Sequence, residues 1–315
     1  CPVWQCETSD NRTNVQEYDA VVIHLRTWNK KDLPKLRSPH QRYVFFSMES
    51  SAWRAYSVVK SMENLFNWTM TYRWDSDIVY PYGYINPIGN VPLHPSESQM
   101  KYFLSHPKVK VNYAQGKTKM ATWFVSNCKT VHSSRNKLIE LLQRHNIQVD
   151  VYGKCGNMTC PKKQDKSFES SDECREMAAQ RYKFYFALEN SLCRDYVTEK
   201  FFENIRRPIL PIVFGLHGDH EKLAPPHSFI NAANFKNMKA LANHMNLLDM
   251  NDTLYNEYFW WKPYFQVRDS QKDRNQAMCH LCARLHDEKL PRKIYSNLTD
   301  WWEKKSTCIY SPTIS

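Results

Sequence analysis

Glycine is scarce in this chain, with seven in 315 residues, and neither G-x-G-x-x-G nor a Walker loop occurs. That counts against the commonest nucleotide-binding signatures. No apolar run approaches the ~20 residues that a bilayer span needs. The chain opens on Cys1 without Met and reads as part of a trimmed or processed protein, so a missing leader or anchor carries no weight. Zinc fingers, RNP motifs and basic arms are absent, and clusters such as Lys108-Val109-Lys110 and Arg206-Arg207 are short. Nucleic acid is therefore not the expected partner of a chain with 43 basic and 32 acidic residues, net charge +11. An anionic small molecule accounts for the useful part of that charge. Apolar residues at 42% are enough for a sizeable core.

Ten cysteines are present, an even count that fits disulfides but also reduced or metal-bound thiols. Five N-x-S/T sequons, at Asn11, Asn67, Asn157, Asn251 and Asn297, point independently to glycosylation. Together they favour an oxidising, secretory compartment. Cys279-His280-Leu281-Cys282 reads as a zinc pair, a redox C-x-x-C or two disulfide halves, and Cys1 with Cys6 could complete four zinc ligands.

Apolar runs and helical periods alternate along the chain. Strands are expected at 20–25, 43–47 and 68–72, with a helix over 51–66 on the spacing of Trp53, Tyr56, Val59, Met62 and Phe66. Prolines and glycines from Pro81 to Pro95 mark an irregular stretch, followed by polar sequence to about 117. A second series follows: strands at 121–126, 147–151, 183–188 and 209–214, a helix capped by Ser134, and another over 198–205. This repetition predicts an α/β protein of two Rossmann-like halves, with ligands at the strand C-terminal ends in the cleft where they face each other. The expected divisions are 1–117, 118–262 and a tail 263–315 packing back on the body.

The densest stretch runs from Phe184 to Phe202, where an apolar strand ends in Glu189-Asn190-Ser191 and a helix begins near Asp195 or Thr198. A helix N-terminus offers unpaired N–H groups to an anion. Lys200 in its first turn runs against the usual preference for acids there, which suggests a ligand phosphate, and Glu199 beside it suits ribose hydroxyls. Asp75-Ser76-Asp77 invites a divalent-metal reading.

The stretch resembles the signature of the α1,3-fucosyltransferases, glycosyltransferase family 10, approximately F-x-x-x-F-E-N-S…D-Y-V-T-E-K, with Leu188 in place of the usual Phe. Ser47-Met48-Glu49-Ser50 resembles the family's Glu-Ser-Pro segment, with Ser51 at the proline. The block from Phe66 to Gly83 is similar to its acceptor-domain block, and Val125-Ser126-Asn127 with Arg135 to the start of its donor domain. The resemblance spans about residues 18–302. It implies a GT-B architecture and inverting transfer of L-fucose from GDP-β-L-fucose to a sugar hydroxyl. It also implies Glu49 as catalytic base, Arg135 and Lys200 on the diphosphate, Asn190, Tyr196 and Glu199 as donor contacts, and Val125, Ser126 and Asn127 as the nucleotide wall. The Asp75 block falls in the acceptor domain, so no metal or other cofactor is expected, a divalent ion being at most stimulatory.

The same resemblance implies that Cys1 and Cys6 pair with Cys279 and Cys282, in unknown order, stapling the tail across both domains. Cys128 and Cys193 both follow strands that neighbour each other in a Rossmann order, and are expected to pair. Cys155, Cys160, Cys174 and Cys308 stay unassigned. Tyr152-Gly153-Lys154-Cys155-Gly156 and the Trp-rich tail most resemble the core enzymes, which modify the innermost Asn-linked GlcNAc of N-glycans. A Lewis-type enzyme acting on N-acetyllactosamine is the alternative, and a catalytically silent glycan-binding relative a remote one. The resemblance implies a type II membrane protein in the Golgi lumen. Among Trp260, Trp261, Trp301 and Trp302, exposed rings could stack on sugars, although core packing is the commoner fate.

Overall fold

A computed structural model describes residues 1–53, 56–128, 132–160, 170–269 and 275–315. It divides into two compact α/β units. The first comprises Cys1–Tyr82, Cys193–Tyr196 and Ser270–Cys308; the second comprises Gly83–Leu192, Val197–Asp269 and Ile309–Ser315. The N-terminal segment of the first unit thus runs to Tyr82, whereas the expected division fell at 117.

In the first unit, strands β1 (Ala20–His24), β2 (Arg42–Ser47), β3 (Trp68–Thr71) and β4 (Ile78–Val79) form a parallel sheet in that order. Successive side chains of a strand point to opposite faces. Val44 accordingly packs with Trp68, Met70 and the helical residues Ala277 and Leu281, while Phe45 meets Phe66 and Trp302 edge-on at 5.4 and 5.2 Å. Both faces of a parallel sheet need cover, and segments beyond residue 270 supply it. Trp260, Trp261, Trp301 and Trp302 are all core residues. The expected helix over 51–66 is cut short to a 3-10 turn, Ser51–Trp53, and a short helix, Tyr56–Lys60. Val59, Met62 and Phe66 still bury. Asn64, at φ 62°, turns the chain so that Phe66 can lead into β3.

The second unit pairs β5 (Gly83–Pro87) antiparallel with a late strand, β11 (Phe265–Asp269). This long-range pairing, with Phe103 stacked on Trp260 at 5.2 Å and Tyr113 on Phe259 at 4.4 Å, draws residues 83–117 into the second unit. Its main sheet holds β6 (Lys119–Phe124), β7 (Val149–Tyr152), β8 (Tyr182–Phe186), β9 (Leu210–Val213) and β10 (Ile230–Asn231), all parallel, in the order β10-β9-β8-β6-β7. The chain leaves β6 for β7 on one side, then crosses to β8 on the other. That reversal is a switch point, where open α/β sheets bind ligands outside the strand C-termini. Among the described residues the first unit, whose strands run in sequential order, shows no such reversal. Among the described residues no helix is long and apolar enough to cross a membrane.

Candidate active site

Arg135 stands at the switch point of the second unit. Its guanidinium donates to the carbonyl of Asn127, beyond β6, at 2.8 Å and to that of Leu188, beyond β8, at 3.3 Å. It is 3% exposed and lies 5.7 Å over the Trp123 ring. A buried cation so held is a fixed positive charge at the mouth of the sheet. Ser134 occupies the N-cap position of the helix Arg135–Arg144, but in the left-handed region and without a side-chain capping bond, contrary to the expected cap. Val125 is buried, while Ser126 and Asn127 are exposed at the end of β6. Asn190, beyond β8, has its Oδ1 buried with no hydrogen bond among the described residues.

Lys200 is the second cation. The helix Glu199–Ile205 begins beside β8, and Thr198 caps it through its hydroxyl. The buried Glu189 carboxylate accepts from the Thr198 N–H and hydroxyl, both at 2.8 Å. Part of the anion-binding capacity expected at this helix start is therefore taken by the chain's own acid. Lys200 Nζ lies 3.2 Å from Glu189, 3.1 Å from Glu199 and 2.9 Å from the Thr198 hydroxyl. Burial works against its ammonium, but the two carboxylates outweigh burial and hold its pKa above that of an ordinary lysine. Burial raises the carboxyl of Glu189, with Lys200 opposing. A diphosphate approaching Lys200 would compete with both acids. Glu189 carried no role in the sequence reading, and its signal was an acid directly after the apolar run Phe184–Leu188, nine residues before Thr198.

In the first unit Glu49 sits two residues beyond β2, at the strand C-terminal end. Its Oε2 accepts from the Tyr196 hydroxyl at 3.4 Å, and Tyr82 donates to the neighbouring Met48 carbonyl. Tyr196, expected among the donor contacts, thus groups with Glu49 and packs edge-on to Tyr72 at 4.9 Å. Asp75 and Asp77 are engaged by cations. Arg73 grips Asp75 at 2.9 and 2.6 Å and Arg194 adds 2.8 Å. Asp77 accepts from the Thr69 N–H at 3.0 Å and the Tyr295 hydroxyl at 2.9 Å, and pairs with Lys293 and Arg284.

Two disulfides join Cys1 to Cys279 and Cys6 to Cys282, both within the first unit. They close the N-terminus onto the helix Asn275–Leu285 rather than tying two domains together. The expected Cys128–Cys193 bond is not formed. Cys128 pairs with Cys155 because the β6 end faces β7: Val125 and Cys155 already share a backbone hydrogen bond of 3.3 Å. Cys193 pairs with Cys308, next to the Leu192–Ile309 bridge. Cys160 and Cys174 form the fifth bond. Cys6, Cys282 and His286 are grouped as metal ligands would be, yet two of these thiols bond each other. The sequons Asn11, Asn157, Asn251 and Asn297 are exposed. Asn67 corrects the expectation: it is 6% exposed, with Nδ2 donating to the Lys293 carbonyl at 2.8 Å.

Residues 114–301 match the family described as "Glycosyltransferase family 10 (fucosyltransferase) C-term", and residues 1–83 match "Fucosyltransferase, N-terminal". The chain belongs to glycosyltransferase family 10, the fucosyltransferases. Its activity class is α1,3-fucosyl transfer. It is 38% identical over 316 residues to "Alpha-(1,3)-fucosyltransferase C" of Drosophila melanogaster, covering 96% of this chain and 70% of that one. It is 34% identical over 315 residues to "Glycoprotein 3-alpha-L-fucosyltransferase A" of the same organism, covering 98% of this chain and 56% of that one. A solved structure, "Crystal Structure of alpha1,3-Fucosyltransferase with GDP-fucose", shares the fold with TM-score 0.50 at 17% identity, over 87% of this chain and 80% of that one.

Proposed function

We propose that the enzyme moves L-fucose from GDP-β-L-fucose to the 3-hydroxyl of the innermost Asn-linked GlcNAc of N-glycans, with inversion. The observation that carries the donor half is Arg135, a buried cation fixed across the switch point where a nucleotide diphosphate is expected. Support also comes from the solved relative named for GDP-fucose and the relative named for glycoprotein acceptors. Glu49 takes the proton of the acceptor hydroxyl as its oxygen bonds to fucose C1 and the C1–O bond to the diphosphate breaks. Arg135 and Lys200 take up the charge of departing GDP, Arg135 through its planar fork. Asn190, Tyr196 and Glu199 complete the donor contacts, and Val125, Ser126 and Asn127 form the nucleotide wall. With two cations supplied by the chain, a divalent ion is at most stimulatory. The Golgi lumen and a type II anchor outside this sequence complete the reading.

Mass spectrometry after incubation with GDP-fucose tests it. The acceptors are a GlcNAc-terminated N-glycopeptide lacking galactose and free N-acetyllactosamine. One fucose on the fragment retaining the Asn-linked GlcNAc is the expected product. It should vanish in Glu49→Gln while GDP affinity holds. Fucose on lactosamine alone would make this a Lewis-type enzyme. No product with GDP still bound would make it a silent relative.

A further inference from the structure

The tail tryptophans are core residues, but Trp74 is 44% exposed only three residues beyond the fully buried strand β3. Its neighbours are held by hydrogen bonds and a disulfide. The Arg73 side chain before it is wholly buried and donates to the Trp301 carbonyl. The Trp74 N–H donates to Asp195 Oδ2 at 3.3 Å. Asp75 and Arg194, 2.8 Å apart, are partly exposed beside it. The segment that holds Trp74, Cys193–Tyr196, is itself anchored by the Cys193–Cys308 bond and by the Arg194 N–H on the Ser306 carbonyl at 2.9 Å. It ends in Tyr196, whose hydroxyl reaches Glu49. One short strap therefore holds both the Trp74 backbone and the candidate base, each just beyond the C-terminal end of a neighbouring strand.

A pyranose ring presents a face of C–H groups and a rim of hydroxyls. An exposed indole on a held backbone offers its flat apolar surface to that face, and an adjacent carboxylate–guanidinium pair accepts and donates to the rim. We propose that Trp74, flanked by Asp75 and Arg194, is a sugar-stacking subsite for a pyranose of the acceptor glycan other than the one that receives fucose. This rests on Glu49 marking the acceptor side.

The test compares wild type with Trp74→Ala and Trp74→Phe, using the acceptor on which the wild type works. Trp74→Ala should raise the acceptor KM by about tenfold, the size of one good aromatic contact, and Trp74→Phe should recover most of it. The KM for GDP-fucose, its hydrolysis without acceptor and the thermal midpoint should stay at wild-type values. With an acceptor cut back to the reacting residue, wild type and Trp74→Ala should converge, because the contacted ring is gone. An unchanged acceptor KM, or an equal loss with the truncated acceptor, overturns the subsite. If the wild type fucosylates lactosamine instead, the core reading falls while the same comparison on lactosamine still decides Trp74. If it transfers to neither, glycopeptide binding isotherms decide: weaker binding by Trp74→Ala supports the subsite, equal binding overturns it.

Discussion

The Lys200 ammonium lies 3.2 Å from the Glu189 carboxylate, which is itself hydrogen-bonded by Thr198 at the start of the helix Glu199–Ile205. Lys200 therefore has a structural duty besides any ligand it binds. Removing one partner of a buried pair strands the other charge, at a cost of about 3–5 kcal/mol. Lys200→Ala should lower stability toward that range and also weaken GDP binding by about 1.5–3 kcal/mol. Lys200→Met combined with Glu189→Gln should restore stability but leave GDP binding weak. Urea denaturation and GDP titration of both proteins read the two effects separately. Recovery of GDP affinity in the double variant would remove Lys200 from the donor site.

Transfer should persist in excess chelator. Burial opposes the charge on Asp75, but Arg73 and Arg194 outweigh it and keep its carboxyl below the usual range. Asp77 is likewise committed to Thr69, Tyr295, Lys293 and Arg284. Asp77→Asn should show as a loss of stability, about 2–4 kcal/mol, rather than as a metal requirement. Loss of turnover in chelator, restored by manganese, would reverse this assignment.

His220 sets an acid limit on stability. It is 3% exposed, packed edge-on to Phe201 at 5.0 Å, and burial pushes its pKa down from 6.5 to about 3. A Cβ at residue 215 would come within 2.5 Å of its Nδ1, so Gly215 makes room for the ring. The unfolded chain binds the proton first. The contribution is therefore intact above pH 6.5 and falls as pH drops toward 3, by about 2 kcal/mol at pH 5. His220→Leu should flatten this part of the profile. Denaturation midpoints of both proteins at pH 5 and 7.5 provide the comparison, and parallel slopes would refute it.

Asn67 should be unmodified in folded, secreted protein, while Asn11, Asn157, Asn251 and Asn297 are accessible to glycans. Its Oδ1 accepts from the Tyr43 N–H at 2.8 Å while Nδ2 holds the Lys293 carbonyl. A glycan on that nitrogen would prevent β3 from closing against β2. Glycopeptide mapping reads occupancy at each site, and a glycan on Asn67 in folded protein would contradict this packing. Asn67→Ala should cost about 1–3 kcal/mol for the buried groups left unmatched.

The sequence by itself determined β1–β3, β6–β9, the helix at Glu199 and the family, because apolar alternation and a contiguous signature are local properties. It also placed Arg135 and Lys200 near strand ends, where the structure has them. Tertiary structure alone decided that Phe265–Asp269 pairs with Gly83–Pro87, and with it the unit to which residues 83–117 belong. It also decided the Cys128–Cys155 and Cys193–Cys308 bonds, the burial of Asn67, and the association of Tyr196 with Glu49. Each of these depends on which distant segments pack together. Sequence spacing carries no record of that, since a hydrogen bond or disulfide is selected by three-dimensional proximity and by the burial of whatever lies around it.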